Sequence, residues 1–464
     1  MKNKVLLISL AVVLAVSLAV AGGCGVVCPN KVTVAMTRSI SGPLANVHFS
    51  AFGAMYPVIK TYVNDTLGGI TIDGSTFDMD IDERDDGSVP TNVISNANAI
   101  VGDIQAGSVH FMWGPTCTAF IDLVAPIANS GGCVLQTHEG GATFLKDIPE
   151  KLPSWPYVFV NLSFSDWHQL QVLGQMLVDE SATNVYVCWQ NDAHGLEYMS
   201  ASEAILRDYY GCTITGDEAV LHTDPGFDPD AVVANINATT PATQVVCLFC
   251  YPDEILGITG AMIGANLSVE GVVGGPGANF GWFGGEVPEG APCPPGFGKN
   301  AENVICYAVA NNKTSNAGDP ITGATHTMEW LYDTALGLPY WAHDPWGHPL
   351  YWAAFEIWLE AVEDVGTVDG DGCFQVDQDD FKDALASYNS SANSVATVLG
   401  PTWYTMFETV LGPGGGILAY ECHTGEVGQW QDGYIEVVGY DGVENDLDNY
   451  RITANYTWPK GDWI

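Results

Sequence analysis

Val109-His110-Phe111-Met112-Trp113-Gly114-Pro115-Thr116-Cys117-Thr118 reads as a buried strand over 109–113, a Gly-Pro break, and the start of a helix over 117–128. The unit recurs on both sides. Upstream, Val32, Val34 and Met36 mark a strand, 51–63 a helix that Pro57 kinks or delays, 77–82 a strand and 93–105 a helix. Downstream come strands over 134–137 and 157–162. The alternation then restarts: strand 185–189, helix 197–210, strand 213–222, helix 229–236, strand 245–251, helix 254–265 and a short strand 272–274. Alternation of this kind predicts parallel sheets covered by helices, here in two α/β lobes. The Gly/Pro-rich stretch 274–298 reads as loop, 351–365 as an apolar helix, and the remainder as a strand-rich tail.

The chain has 464 residues, 47% of them hydrophobic, with 14 tryptophans, enough to build large cores. Its 14 basic and 55 acidic residues give a formal charge of −41. Such a surface repels nucleic acid and anionic headgroups, so neither is an expected partner. At the amino end, Lys2 and Lys4 precede an apolar run that closes on Ala21-Gly22-Gly23-Cys24. That is the layout of a secretory signal over 1–23, and its ending resembles the lipobox of prokaryotic lipoproteins. An uncleaved anchor helix is the alternative. Either way the rest of the chain lies outside the cell, tethered to the membrane.

Cysteine usage fits no redox or zinc centre. With Cys24 lipidated, 11 of the 12 cysteines remain, an odd number. Cys247 and Cys250 form a Cys-x-x-Cys, but within an apolar strand where residues three apart face opposite sides. Asp369-Gly370-Asp371-Gly372 lacks the glycine position and closing glutamate of a calcium loop. No nucleophile elbow, zinc-protease helix or phosphate loop occurs. No catalysis, cofactor or metal is expected. Sequons stand at Asn64, Asn161, Asn237, Asn266, Asn312, Asn389 and Asn455, and some arise by chance.

A set of landmarks adds a resemblance. Ser41-Gly42-Pro43-Leu44-Ala45 follows the first strand; Gly68-Gly69-Ile70 and Ile72-x-Gly74 precede the second, which Asp85-Asp86 ends. Gly114-Pro115 follows the third, and Asp192-Ala193-His194-Gly195, Gly400-Pro401, Gln429-Trp430-x-Asp432-Gly433 and Trp458-Pro459-Lys460 come in order behind it. Taken together, the chain resembles the type I periplasmic binding proteins, in particular the branched-chain amino acid and amide/urea receptors of ABC transporters. The resemblance implies two Rossmann-like lobes with parallel central sheets joined by a three-strand hinge. It implies a linker over 24–30, a first lobe over 31–162 and 310–404, and a second over 163–309 and 405–464. It also implies a ligand in the interlobe cleft and permease subunits as partners. A ligand sensor for a signalling partner and a structural cell-envelope protein are the alternatives.

The same resemblance assigns candidate ligand contacts. Thr118 matches the family's carboxylate-holding serine, and Thr116 stands beside it at a helix start where backbone N–H groups lack partners. Either hydroxyl could instead serve only as a cap. Thr137, Glu139 and Gly140 belong to the next loop, in which Glu139 either pairs with a ligand cation or lies on the rim. From the second lobe, His194 takes an aromatic wall position, Tyr251 and Asp253 match an aromatic-x-Pro-acid turn, and Asn279 ends the segment 274–279. That segment carries Pro276 where amino-acid binders have an ammonium-pairing glutamate. The expected solute is therefore small and polar or amphipathic, with an amide, a urea-like compound or an organic acid favoured over a branched-chain amino acid.

Natively expressed protein should begin at a lipidated Cys24, with two acyl chains or a diether, because one chain anchors only marginally. Intact-mass measurement decides this, and a mass retaining Met1 sinks it.

Overall fold

The computed structural model describes residues 30–137, 154–161, 165–221, 226–291, 295–311, 313–314, 323–409, 412–420, 427–438 and 453–463. Cys24, His138, Glu139 and Gly140 lie outside them.

The first sheet grows from β1 (Lys31–Arg38), whose alternating valines and methionine are wholly buried. It pairs in parallel with β3 (Ser75–Asp85) on one side and β4 (Phe111–Trp113) on the other. β2 (Ile70–Ile72) forms a hairpin with β3, and β5 (Leu135–Thr137) and β6 (Val158–Val160) extend the parallel run past β4. The second sheet contains β7 (Asn184–Gln190), β8 (Thr213–Val220), β9 (Val245–Phe249), β10 (Gly271–Gly274) and β11 (Ile305–Cys306), again in parallel. β4, β5, β6, β9 and β10 are buried at every residue, and all but β5, which carries the buried polar Gln136 and Thr137, are continuous apolar runs rather than alternating ones.

Helices link these strands. α1 (Met55–Thr61) is the regular centre of a longer helical run whose flanks, His48–Gly53 and Tyr62–Leu67, are π-turns. The helix expected over 51–63 is thus longer and wider, and Pro57 sits near the junction of the two geometries. α2 (Pro90–Gln105) opens on proline, and α3 (Thr118–Ser130) follows β4. In the second lobe α4 (Ser165–Asp179), α5 (Ala193–Ala201), α6 (Pro229–Asn237) and α7 (Pro252–Gly264) alternate with β7–β10. α5 starts at Ala193, four residues ahead of the expected 197, because Asp192 caps it by accepting from the Gly195 N–H.

α8 (Gly347–Val365) returns to the first lobe, packing against β2 and α1 with Trp352, Phe355 and Trp358 buried. After the small hairpin β12–β13 (Thr367–Val368, Phe374–Gln375) and α9 (Gln378–Ser387), strands β14 (Val395–Thr397), β15 (Gly400–Thr409) and β16 (Gly412–Tyr420) complete the first sheet. β17 (Val427–Gln431) and β18 (Tyr434–Val438) close the second. The chain therefore passes between sheets three times. The exchange placed at 404/405 on sequence falls inside β15, which pairs with β16 throughout, so strands up to Tyr420 stay with the nine-stranded first sheet. Gly400 at φ 84° turns the chain between β14 and β15 rather than between lobes.

The loop that follows β10 is buried from Gly275 to Phe283, unlike an ordinary surface loop. Its polar groups are satisfied inside: Trp430 Nε1 donates to the Ala278 carbonyl at 2.7 Å, and the Gly281 N–H to the His343 carbonyl at 2.8 Å. Two sequons are committed to structure: Asn64 exchanges hydrogen bonds with the Met79 backbone, and Asn161 is buried. Cys188, Cys247, Cys250 and Cys306 are buried thiols whose pKa values burial raises, as their apolar strands require.

Trp113 is 1% exposed and meets Tyr56 and Trp358 with ring centroids 5.6 Å away in each case. Trp113→Ala should lower unfolding free energy by about 3–5 kcal/mol. A urea melt checks this, and a loss below about 1 kcal/mol would remove Trp113 from the core.

Candidate functional site

In both lobes the carboxyl ends of the parallel strands face a shared cavity of about 460 Å³. The first lobe lines it with Pro43 and Leu44 after β1, Ser88 and Pro90 after β3, and Cys117, Ala119, Phe120 and Leu123 at the start of α3. Gln190 at the end of β7, Asn191 and Asp192 after it, Leu221 after β8 and Tyr251 after β9 supply the other wall. One wall is thus largely aliphatic and aromatic, the other polar. Asn46 Nδ2 donates to Asp253 Oδ1 at 2.7 Å, and Trp282 Nε1 donates to Ser50 Oγ at 2.8 Å, so the lobes are joined by side-chain hydrogen bonds.

Buried charge organises the first wall. Arg38, the last residue of β1, is fully buried. Its Nη1 donates to the Pro115 carbonyl at 2.7 Å, its Nη2 bonds the Tyr56 hydroxyl, and its guanidinium stands 4.0 Å from the Phe52 ring centre. Burying a cation requires such partners. His48 is held neutral beside it, its pKa lowered to about 4 by burial and then by Arg38, while burial raises Glu83. Asp86 fixes the neighbouring loops by accepting from Ser39 Oγ at 2.8 Å, Thr37 Oγ1 at 3.1 Å and the Ser88 N–H at 2.8 Å. Burial still raises its pKa.

On the second wall, Gln190 joins two strand ends. Its Nε2 donates to Glu254 Oε1 at 3.1 Å and its Oε1 accepts from the Tyr251 N–H at 3.2 Å. Tyr251 stacks on His194 with centroids 5.0 Å apart and planes 12° apart; His194 in turn meets Tyr198 edge-on. Asp192 has its pKa raised to about 6, first by burial and also by Glu254, against hydrogen bonds from Gly195 and Tyr251.

The expected contacts are distributed unevenly. Tyr251 lines the cavity, and Asp253 does not, being tied instead to Asn46 of the first lobe. Thr118 is the buried first residue of α3, between the cavity-lining Cys117 and Ala119. Thr116 is fully buried and its hydroxyl accepts from the Ser39 N–H at 2.7 Å, so it joins two loops. Thr137 ends β5, buried, with its carbonyl accepting from Asn161. His194 lies behind Tyr251, 4% exposed, instead of forming the wall. Asn279 is buried in the loop after β10, donating to Asp344 at 2.7 Å and accepting from the Gly277 N–H. Pro43, Leu44, Ser88, Phe120, Leu123, Gln190, Asn191, Asp192 and Leu221 were not singled out as contacts. Most of them stand at a strand end or in the loop that follows it, with Phe120 and Leu123 in the first turns of the next helix, and that position is the signal that could have found them.

Among the described residues no group of His, Cys, Asp and Glu could hold a metal ion, and no helix is long and apolar enough to cross a membrane. The fold, two parallel-sheet lobes crossed three times with a cleft at the strand ends, is that of the type I periplasmic binding proteins. Solved structures similar to it include the branched-chain amino acid transporter substrate-binding protein LivJ from Streptococcus pneumoniae in complex with isoleucine, at 15% identity and TM-score 0.62, over 88% of this chain and 100% of that one. A substrate-binding protein from Desulfitobacterium hafniense in complex with Leu matches at 12% identity and TM-score 0.54, over 88% and 99%. A putative branched-chain amino acid ABC transporter from Silicibacter pomeroyi matches at 13% and 0.59, over 92% and 99%. No family model matches the sequence, and no curated protein does.

His194 gives this wall a pH dependence. Burial lowers its pKa from 6.5 to about 3, so the unfolded chain binds a proton first. Its contribution to stability is complete above pH 6.5 and is lost as pH falls toward 3. Relative to His194→Phe, which keeps the stacking, the wild type should lose about 2 kcal/mol between about pH 7.5 and 5. Urea melts of both proteins at the two pH values test this; an unchanged gap would mean that His194 titrates in the folded protein as it does in the unfolded chain.

Proposed function

We propose that this chain is an extracytoplasmic solute-binding protein that captures a small polar or amphipathic solute between its lobes and delivers it to the permease of an ABC transporter. A lipid on Cys24 holds it to the outer face of the cell membrane, and no bond is made or broken. The observation that carries the reading is the interlobe cavity, lined from both lobes by residues at parallel-strand ends and in the loops and helix starts that follow them. Its volume of about 460 Å³ falls within the range of small-molecule sites. The solved structures in complex with isoleucine or leucine share the fold and support a solute-binding role.

Thr118 remains a proposed contact at the start of α3, where backbone N–H groups can receive a ligand's carboxylate or carbonyl oxygen. Tyr251 supplies the opposite surface, and Asp253, through Asn46, holds the closed form around the solute.

A thermal-shift screen of amino acids, amides, ureas, amines and organic acids should find compounds that stabilise the protein as RT ln(1 + [L]/Kd), about 2.7 kcal/mol at a hundredfold excess over Kd. Ala119→Trp, which fills the cavity, should abolish that stabilisation and leave the unliganded melting temperature close to wild type. Binding that survives Ala119→Trp would place the solute elsewhere.

A further inference from the structure

The cavity joins an apolar wall to a wall carrying one carboxylate. Pro43, Leu44, Pro90, Phe120 and Leu123 present carbon to the solute. Opposite them, Asp192 is the one carboxylate among the described lining residues, and no Lys, Arg or His lines the cavity with it. We propose, on the reading of the cleft as a solute site, that Asp192 pairs with an ammonium group, so that the ligand is a primary amine with an aliphatic body.

Three observations carry this. The first is electrostatic. Asp192 is already pressed by Glu254 and partly removed from water, so an incoming organic anion would add a third negative group. An ammonium would relieve both penalties and make charge-assisted hydrogen bonds. The second is apolar area: the wall of Phe120, Leu123, Leu44 and the two prolines gains by covering hydrocarbon, which a urea-like solute does not offer. The third is position. Asp192 is held by its cap bond from the Gly195 N–H, at the start of a helix, so the carboxylate is fixed before a ligand arrives. Segment 274–279 provides no carboxylate, and its Asn279 is already committed to Asp344. Charge recognition thus passes to the turn after β7, reversing the preference for an uncharged or anionic solute drawn from Pro276.

Two probes with the same branched carbon skeleton separate the charges: 3-methylbutylamine and 4-methylpentanoate. Calorimetric titration of the full chain at about pH 7.5 should give the amine an affinity at least about tenfold above the acid. Asp192→Asn keeps a capping side chain, so the unliganded melting temperature should hold while amine affinity falls by about tenfold or more. Equal or tighter binding of 4-methylpentanoate, or amine affinity untouched by Asp192→Asn, overturns the pairing. If the screen yields only neutral or anionic ligands that Ala119→Trp displaces, the ammonium assignment falls and the cleft reading stands. If nothing in the screen binds, the cleft reading falls and this pairing with it.

Discussion

Parallel strands must all end on the same edge of their sheet, and that constraint governs what each part of this chain does. β1, β3 and β4 release their loops toward the second lobe, and β7, β8 and β9 release theirs toward the first. Loops at that edge have no ladder to satisfy their backbone groups. They must be held by side chains or by one another. The molecule does this with a few fixed points: Asp86 ties the loops after β1 and β3, Thr116 ties the loop after β4 to Ser39, and Gln190 ties the ends of β7 and β9. The cavity between the lobes is the space these ties leave open.

Buried charge takes the same role at larger scale. Arg38 is one example, compensated by the Pro115 carbonyl, the Tyr56 hydroxyl and the Phe52 ring, with Glu83 and Asp86 nearby. A lysine could not reproduce this arrangement, because the planar guanidinium bonds two partners while stacking on a third. Just ahead of α8 the buried Asp344 accepts from Asn279 and from the Trp346 N–H, with its pKa raised to about 6 by burial. That pair anchors the loop after β10, which Trp282 then carries across to Ser50 of the first lobe. Polar residues whose sequence position invited a ligand role are here part of the frame.

How much of this was legible follows from range. Apolar runs such as Phe111-Met112-Trp113 and Val245–Phe249 report burial on both faces directly, so the parallel sheets and the two lobes were readable from residues near in sequence. The boundaries that failed depend on pairing at a distance. The lobe exchange expected at 404/405 is one of them, for β15 finds β16 and stays in the first sheet. His194 looks like a cleft wall until the cap at Asp192 starts α5 and turns the ring behind Tyr251.

The sequence alone determined the alternation of strands and helices, the acidic surface and the placement of candidate polar groups after strand ends, since each depends on periodicity or composition within a few turns of chain. Only the tertiary structure decided which of those groups face the cavity. Thr116, Thr118, His194, Asn279 and Asp192 share the same local setting, a short loop or helix start after a strand. Asn279 is drawn inward by Asp344, 65 residues away, and Thr116 by Ser39, 77 residues away. Asp192 is left on the cavity wall because its own cap bond is local. Partners that far along the chain leave no periodic mark in the sequence, and folding alone brings them within hydrogen-bond reach.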